Sequence, residues 1–424
     1  MADKLLYNRQ MVSGGKNILR VKWLFLMIFM ACGHMMHAQQ YITISGKAVD
    51  SNTGEPLIFA SIGIKGRSIG TISNTIGEFD FHIPAESINE LLQIHMIGYE
   101  TFEMKVADII ASNMGLFRMN KSTKVLDEVV ISDSLTGADI FKIALNRIPV
   151  NYPMVPFMLD GFYRDLKNVG GTYVALLEAA IKIYDKDYSI PKNKYRLRER
   201  VALIEVRKSL GYNHKFTTFY DQTNLLEDLL IHNNIRYHQF SDEEIFYTNL
   251  TRTRTDYMGG KRVFVLDYKG NTRLRLYIDA LTYAIIRMEY QTGEQDEIID
   301  KRKGLISRLY AMEKIIEFKE YAGKMYLYHI NLKSDIHWYD EKTNEMRFNT
   351  QLHQQLLINK IFPNSEEKIG TTEKMKRYGL QYQHSEYNKE FWDNYNVIKE
   401  TPLDKQIVED LESEVSLEKQ FQNN

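Results

Sequence analysis

The chain of 424 residues has one cysteine and eight prolines, and neither sign of charge dominates, with 54 Lys and Arg against 55 Asp and Glu. Each shortage excludes something. A lone thiol, Cys32, closes no internal disulfide, so the chain must be held by its core alone. Balanced charge excludes the basic field of a nucleic-acid binder and the acidic field of a solvating tail. No nucleic-acid partner is expected. The apolar run at 23–32 is about ten residues long, whereas a helical membrane span needs roughly 20. Signature motifs are missing too: there is no P-loop, dinucleotide fingerprint, EF-hand loop or complete nucleophilic triad. None of the nine histidines after residue 38 begins an His-x-x-Glu or His-Glu-x-x-His pattern. The expected cofactor set, metal set and catalytic set are therefore all empty. What the chain has in quantity is aromatic residues, with 27 Tyr and 20 Phe, side chains that suit pleated surfaces.

The first forty residues carry an address. Lys16, Arg20 and Lys22 precede the apolar run, and Ala38 suits the position before a cleavage site, so residues 1–38 read as a secretory signal peptide with the mature chain starting at Gln39. Met11 would start a more ordinary peptide. A second reading stays open: Phe29-Met-Ala-Cys32 is similar to a bacterial lipoprotein signal, in which Cys32 would be acylated. Cleavage after Ala38 removes five basic side chains and one acidic one, which takes the net charge from -1 to -5. The expectation is an exported protein, periplasmic or outer-membrane associated, with no transmembrane span in the mature chain.

From residue 41 to about 119, short β-prone runs alternate with turn signals at spacings of roughly 8 to 12 residues, the rhythm of a β-sandwich. Gly46-Lys-Ala-Val-Asp50, Thr53-Gly-Glu-Pro-Leu57, Gly70-Thr-Ile-Ser-Asn74, Gly77-Glu-Phe79 and Ile97-Gly-Tyr99 together resemble the carboxypeptidase regulatory-like domain of Bacteroidetes envelope proteins. That resemblance implies a transthyretin-like sandwich over 39–120 and no peptidase activity. Asn74 departs from the pattern, which usually has Asp there. Gly66-Arg-Ser-Ile-Gly70 matches the Gly-x-Ser-x-Gly of α/β-hydrolases, but it falls in a β-turn where that mechanism needs a strand-turn-helix.

Lys124-Val-Leu-Asp-Glu-Val-Val-Ile131 resembles the segment joining such a sandwich to the plug of TonB-dependent receptors, and residues 121–135 read as a linker. Too little chain follows for a plug and barrel. Residues 137–148 space Ile140, Ala144 and Ile148 four apart, an amphipathic helix ended by Pro149. Residues 157–163 and 173–184 form a hairpin, although Ala175–Ala180 would also suit a helix. Residues 185–200 read as an exposed loop and 225–231 as a short helix. Strands then follow near 245–256, 261–268, 272–279, 283–291, 306–319, 325–337 and 346–358, an antiparallel meander. The fold class is mainly β: the sandwich, then an α+β region at 136–400 dominated by the meander, with a curved half-barrel among its forms and a polar tail at 401–424. Arg275-Leu-Tyr-Ile-Asp279 and the strand after it are similar to the curved sheets of lipoprotein carriers, but a plain hairpin with Asp279 and Thr282 in its turn is the favoured reading.

Candidate chemistry is sparse. Arg164 and Glu178 are the natural partners for a polar site, with Asp279 a third candidate; Asp185 and Asp187 are further acids. His329 and His337 lie eight residues apart on one strand, about 26 Å at 3.3 Å per residue, too far to share a metal. His232 and His238 could pair only if their loop folded back. Tyr387, Phe391, Trp392 and Tyr395 form an aromatic cluster that either anchors the C-terminal segment or offers a carbohydrate-stacking surface. These features favour a noncatalytic cell-envelope binding or assembly protein with an envelope protein, glycan or lipid as partner. A carrier of an apolar ligand in a curved sheet and an envelope hydrolase are the alternatives.

Overall fold

Alternation of apolar and polar residues sets the first layer. In the computed structural model, which describes residues 41–122, 135–209, 211, 219–220, 224–270, 272–375, 379–400, 404–412 and 415–422, the first seven strands are β1 (Tyr41–Asp50), β2 (Ser61–Ile64), β3 (Gly70–Ile72), β4 (Glu78–Pro84), β5 (Leu91–His95), β6 (Phe102–Lys105) and β7 (Leu116–Met119). They form a three-stranded sheet, β4-β1-β7, and a four-stranded sheet, β3-β2-β5-β6. The period of two in β4 buries Phe79, Phe81 and Ile83 completely. Phe79 meets Phe117 at 5.3 Å between ring centroids. Gly77 has φ +82°, and a Cβ there would meet the Ala48 carbonyl oxygen at 2.5 Å, so only glycine fits this turn.

The remaining strands are β8 (Phe157–Val169), β9 (Thr172–Asp185), β10 (Arg200–Lys208), β11 (Leu250–Met258), β12 (Lys261–Lys269), β13 (Thr272–Asp279), β14 (Ile285–Thr292), β15 (Ile298–Arg302), β16 (Leu305–Tyr321), β17 (Lys324–Asp340) and β18 (Met346–Phe362). They make one open antiparallel sheet of eleven strands in the order β10-β9-β8-β18-β17-β16-β14-β13-β12-β11, with β15 added beside β16. The meander expected from sequence is present. Pairing of β18 with β8, from Thr350 opposite Val169 to Phe362 opposite Met158, joins it to the earlier hairpin. Ala175–Ala180 lies within β9 and is strand, not helix.

Several expectations change. Residues 185–200 are not simply exposed: Asp185, Tyr188 and Glu199 are buried, because Arg236 supplies Asp185 with a charge partner inside. Strands β10 and β15 add to the expected meander, and β10 carries the β-prone run Val201-Ala-Leu-Ile204. Residues 244–248 are a helical turn before β11. The 137–148 helix ends at Asn146, and Pro149 opens a second short helix, Ile148–Asn151. A capping box starts the first of these: the Thr136 hydroxyl accepts from the Asp139 amide at 3.1 Å and the Asp139 carboxylate from the Thr136 amide at 2.9 Å. The polar tail is two helices, Asp404–Leu411 and Leu417–Gln422. Its Ile407, Leu411, Leu417 and Phe421 pack with Leu166 and Leu176 of the sheet. The tail is therefore docked, not frayed, through Gln422. The signal-peptide reading, Cys32, Gln39 and the 124–131 junction lie outside the described residues.

From Thr43 onward the chain is one unit, and the sandwich shares its core with the large sheet: Phe59 and Ile72 belong to the same buried cluster as Phe318, Tyr328 and Ile330. The segment after Asn394 straps the two together. Asn396 exchanges hydrogen bonds with the His82 backbone at 2.8 and 3.0 Å, and Lys399 pairs with Asp80 at 3.0 Å. Asn74 explains its own departure from the family pattern. Its side-chain oxygen accepts from the amides of Ile76 and Glu78, while its NH2 donates to the carbonyls of Lys399 and Glu400 at 3.1 and 3.3 Å. An aspartate could keep the first pair and not the second. Asn74→Asp sets a carboxylate against two carbonyls and is expected to cost about 1–3 kcal/mol; urea unfolding measures it, and unchanged stability would refute this role for the amide.

Candidate functional site

The sequence-derived polar candidates do not meet at one place. Arg164 on β8 and Glu178 on β9 face each other in register, and their side chains form a buried ion pair with the Arg164 Nε to Glu178 Oε1 distance at 2.6 Å. The other carboxylate oxygen accepts from Arg207 Nε of β10 at 2.6 Å. Burial pushes Glu178 up, but the two guanidinium charges, Arg207 first, hold it below its usual value. Arg207 in turn lies over the Trp392 ring, 4.3 Å from its centroid, and over the Phe421 ring at 5.2 Å. Sequence reading places no strand at 200–208, although Val201, Leu203, Ile204 and Val206 suit one, and so it leaves Arg207 out. The aromatic cluster thus belongs to the packing of the tail: Trp392 is buried, Phe391 and Tyr395 stack at 4.9 Å, and the Tyr395 hydroxyl donates to the Gly161 carbonyl at 2.9 Å. Tyr387 is half-buried against Phe421. The four do not form a flat exposed platform.

The other candidates are also locally satisfied. Asp279 takes the amides of Leu281 and Thr282 at 2.9 and 2.7 Å and the Thr282 hydroxyl at 3.0 Å, an Asx-type turn. Asp185 pairs with Arg236, whose Nη2 lies 2.8 Å away, and Asp187 accepts from the Ser189 amide at 2.9 Å, so the two acids serve different partners. His329 is buried against Glu317 at 3.2 Å and against the Phe59 ring at 4.9 Å, while His337 stacks on Tyr310 at 4.0 Å. His232 ends the helix Leu225–Ile231 and His238 donates to the Tyr188 carbonyl at 3.3 Å. Ser68 sits in the turn between β2 and β3 with no helix after it. Among the described residues no group of three or more His, Cys, Asp or Glu is placed to hold a metal ion.

A concavity with room for a ligand lies elsewhere, between the β2-β5 side of the sandwich and the β13, β14 and β16 region of the large sheet. It is a partly enclosed cleft of about 840 Å³, within the roughly 300–1,000 Å³ usual for small-molecule sites. Phe59, Ile97, Met258, Ile286 and Met325 give it apolar walls. Its polar floor comes from alternate residues of neighbouring strands: Arg287 and Glu289 of β14, Glu317 and Lys319 of β16. Arg287 binds Glu289 at 2.7 Å and also Glu317. Burial pushes Glu317 up, and the Arg287 charge and the His329 bond outweigh it and hold it low. Burial pushes Lys319 down to about 8, and burial with the Lys319 charge pushes His95, on the sandwich wall, down to about 4. His95 is therefore neutral at neutral pH. Only Asp279 among the sequence candidates reaches this cleft, at its rim. No local motif marks the rest, because the cleft exists only where two separately folded layers face each other.

Comparison with known proteins is consistent with the sandwich. The CarboxypepD_reg-like domain family matches residues 44–131, so the chain carries this transthyretin-like domain followed by a large open antiparallel sheet. A stretch of 92 residues is 34% identical to the TonB-dependent receptor SusC of Bacteroides thetaiotaomicron, covering 22% of this chain and 8% of the receptor's length. Two solved structures share weaker likeness. MucB in complex with MucA(peri) aligns with 54% of this chain and 99% of its own at 10% identity and a TM-score of 0.17. Lipovitellin aligns with 55% of this chain and 28% of its own at 12% identity and a TM-score of 0.23. Those scores carry no argument about function.

Two outcomes test the buried charges. Glu178→Leu strands two guanidinium groups inside and is expected to cost about 3–5 kcal/mol, read by urea unfolding; a loss under 1 kcal/mol would contradict the pairing. Glu199 is held up to about 7, mainly by burial and the nearby Asp185 charge, and the Tyr237 hydroxyl donates to it. The folded state therefore binds more protons than the unfolded state between the ordinary 4.5 and about 7. Its contribution is full below that window and is lost as pH rises through it. Thermal unfolding should show stability falling over this range, and Glu199→Gln should flatten the fall.

Proposed function

We propose that the protein is a noncatalytic binding protein of the cell envelope, exported through its N-terminal signal and holding a ligand in the cleft between sandwich and sheet. The observation that carries this reading is the cleft itself, a ligand-sized concavity with apolar walls and a small convergent polar floor. Envelope location is supported by the apolar run after Lys22 and by the likeness of the sandwich segment to an outer-membrane receptor. No helix among the described residues is long and apolar enough to cross a membrane. Arg287 with Glu289 and Glu317, and Lys261 with Glu320, are committed to one another, an arrangement that suits holding a molecule more than transferring a proton to it. A carrier of a largely apolar ligand is the second reading, favoured by the Phe59, Ile97, Ile286 and Met325 walls.

Native mass spectrometry of the protein from its own envelope tests both halves of the proposal. A mature terminus at Gln39 and a bound small molecule are expected, and an acylated Cys32 terminus would instead make the protein a tethered lipoprotein. Met96, half-buried on the cleft wall, gives the control. Met96→Trp should fill the cleft and shed the bound molecule while circular dichroism stays unchanged. Equal retention by both forms, or no bound molecule in either, would overturn the binding reading.

A further inference from the structure

The cations around the cleft are unequal. Arg287 has Glu289 and Glu317, Lys261 has Glu320 at 2.9 Å, Arg254 has Asp256 at 3.5 Å, and Arg67 has Glu90 at 2.5 Å. Lys324 donates to the Val150 carbonyl at 2.6 Å. Lys319 alone among these described lining cations lacks a carboxylate or a close acceptor: its ammonium has the Ile69 carbonyl at 3.4 Å and the Tyr328 ring centroid at 5.1 Å. The sandwich makes room for it. A Cβ on Gly63 or Gly70 would lie 3.0 Å from the Lys319 nitrogen, so two glycines leave open the space in which that nitrogen ends. A buried ammonium without a partner is costly, and an anion entering the cleft would remove the cost.

We infer that Lys319 anchors the head of a monoanionic amphiphile, a carboxylate carrying an aliphatic tail, with the tail against the Ile97, Ile286 and Met325 wall; the inference rests on the ligand-binding reading of the cleft. The charge inventory selects a monoanion. One unmatched positive charge faces the already paired acids Glu317, Glu320 and Glu103, and a dianion would bring excess negative charge among them. The chemistry of the walls selects the tail. A free anion would find few donors beyond Lys319, because the guanidinium groups are already engaged.

Octanoate and 1-octanol, equal in tail and different in head charge, separate the inference from the reading beneath it. Calorimetric titration of the full chain should give octanoate about 10–100-fold tighter binding than 1-octanol, the range for a charge-assisted hydrogen bond. In 13C NMR of reductively methylated lysines, octanoate should raise the Lys319 titration by about one pH unit or more, because the bound carboxylate favours the ammonium. Lys319→Met should bring octanoate down to the 1-octanol affinity, and Lys319→Arg, which keeps the charge, should retain most of the preference. If both probes bind alike and neither variant changes the ratio, the anchor is wrong and the cleft reading stands. If neither probe binds and Met96→Trp alters nothing in the envelope-derived protein, the cleft reading falls with it.

Discussion

A sheet of eleven antiparallel strands has two broad faces and two free edges, and a chain without internal disulfides must cover them with its own segments or leave apolar surface in water. The rest of the structure follows from that constraint. The helix Gly137–Asn146 lays Ile140 and Phe141 against the β11 side, with Phe141 meeting Phe240 at 5.0 Å. The C-terminal helices cover Leu166 and Leu176. The sandwich covers part of the remaining face through Phe59 and Ile72. Where that coverage is incomplete the cleft is left, so the cleft is a by-product of how the large sheet is shielded.

The buried charges follow the same logic. Glu178, Arg164 and Arg207 link three adjacent strands, and Arg207 passes the link to Trp392 and so to the docked tail. A carboxylate shared between two guanidinium groups loses little by leaving water, provided both remain. Glu199 is the counter-case, raised to about 7 first by burial and then by the like charge of Asp185, which the Arg236 charge offsets only in part. Lys319 is a third case: an ammonium brought against the sandwich, with the Ile69 carbonyl at 3.4 Å and the acids of the cleft paired to other cations. The first of these holds the fold, the second makes stability fall as pH rises, and the third leaves a cation on the cleft without a carboxylate partner.

Much of the architecture was legible along the chain because it rests on local rules. Turn glycines, the alternation of Phe79, Phe81 and Ile83, and the hairpins from β12 to β18 are written in periods of two and in turn residues, and Leu225–Ile231 in a capped apolar run. The pairing of Arg164 with Glu178 could be suspected from their charges. The arrival of Arg207 at the same carboxylate could not, because it depends on β10 pairing with β9. Asn74 looked like a weakness in a motif until the strap carrying Lys399 and Glu400 showed what its NH2 is for.

By itself the sequence determined the sandwich, the antiparallel meander after it, the absence of any disulfide staple and the cationic and apolar character of the first forty residues, since each depends on neighbours within a turn or a strand. Tertiary structure alone decided that Glu178 serves two arginines, that the aromatic cluster faces inward, and that Lys319 ends unmatched beside Gly63 and Gly70. Those facts join residues on different strands or on separately formed layers. Which side chains share a space there is set by how two surfaces pack, and no local pattern encodes it.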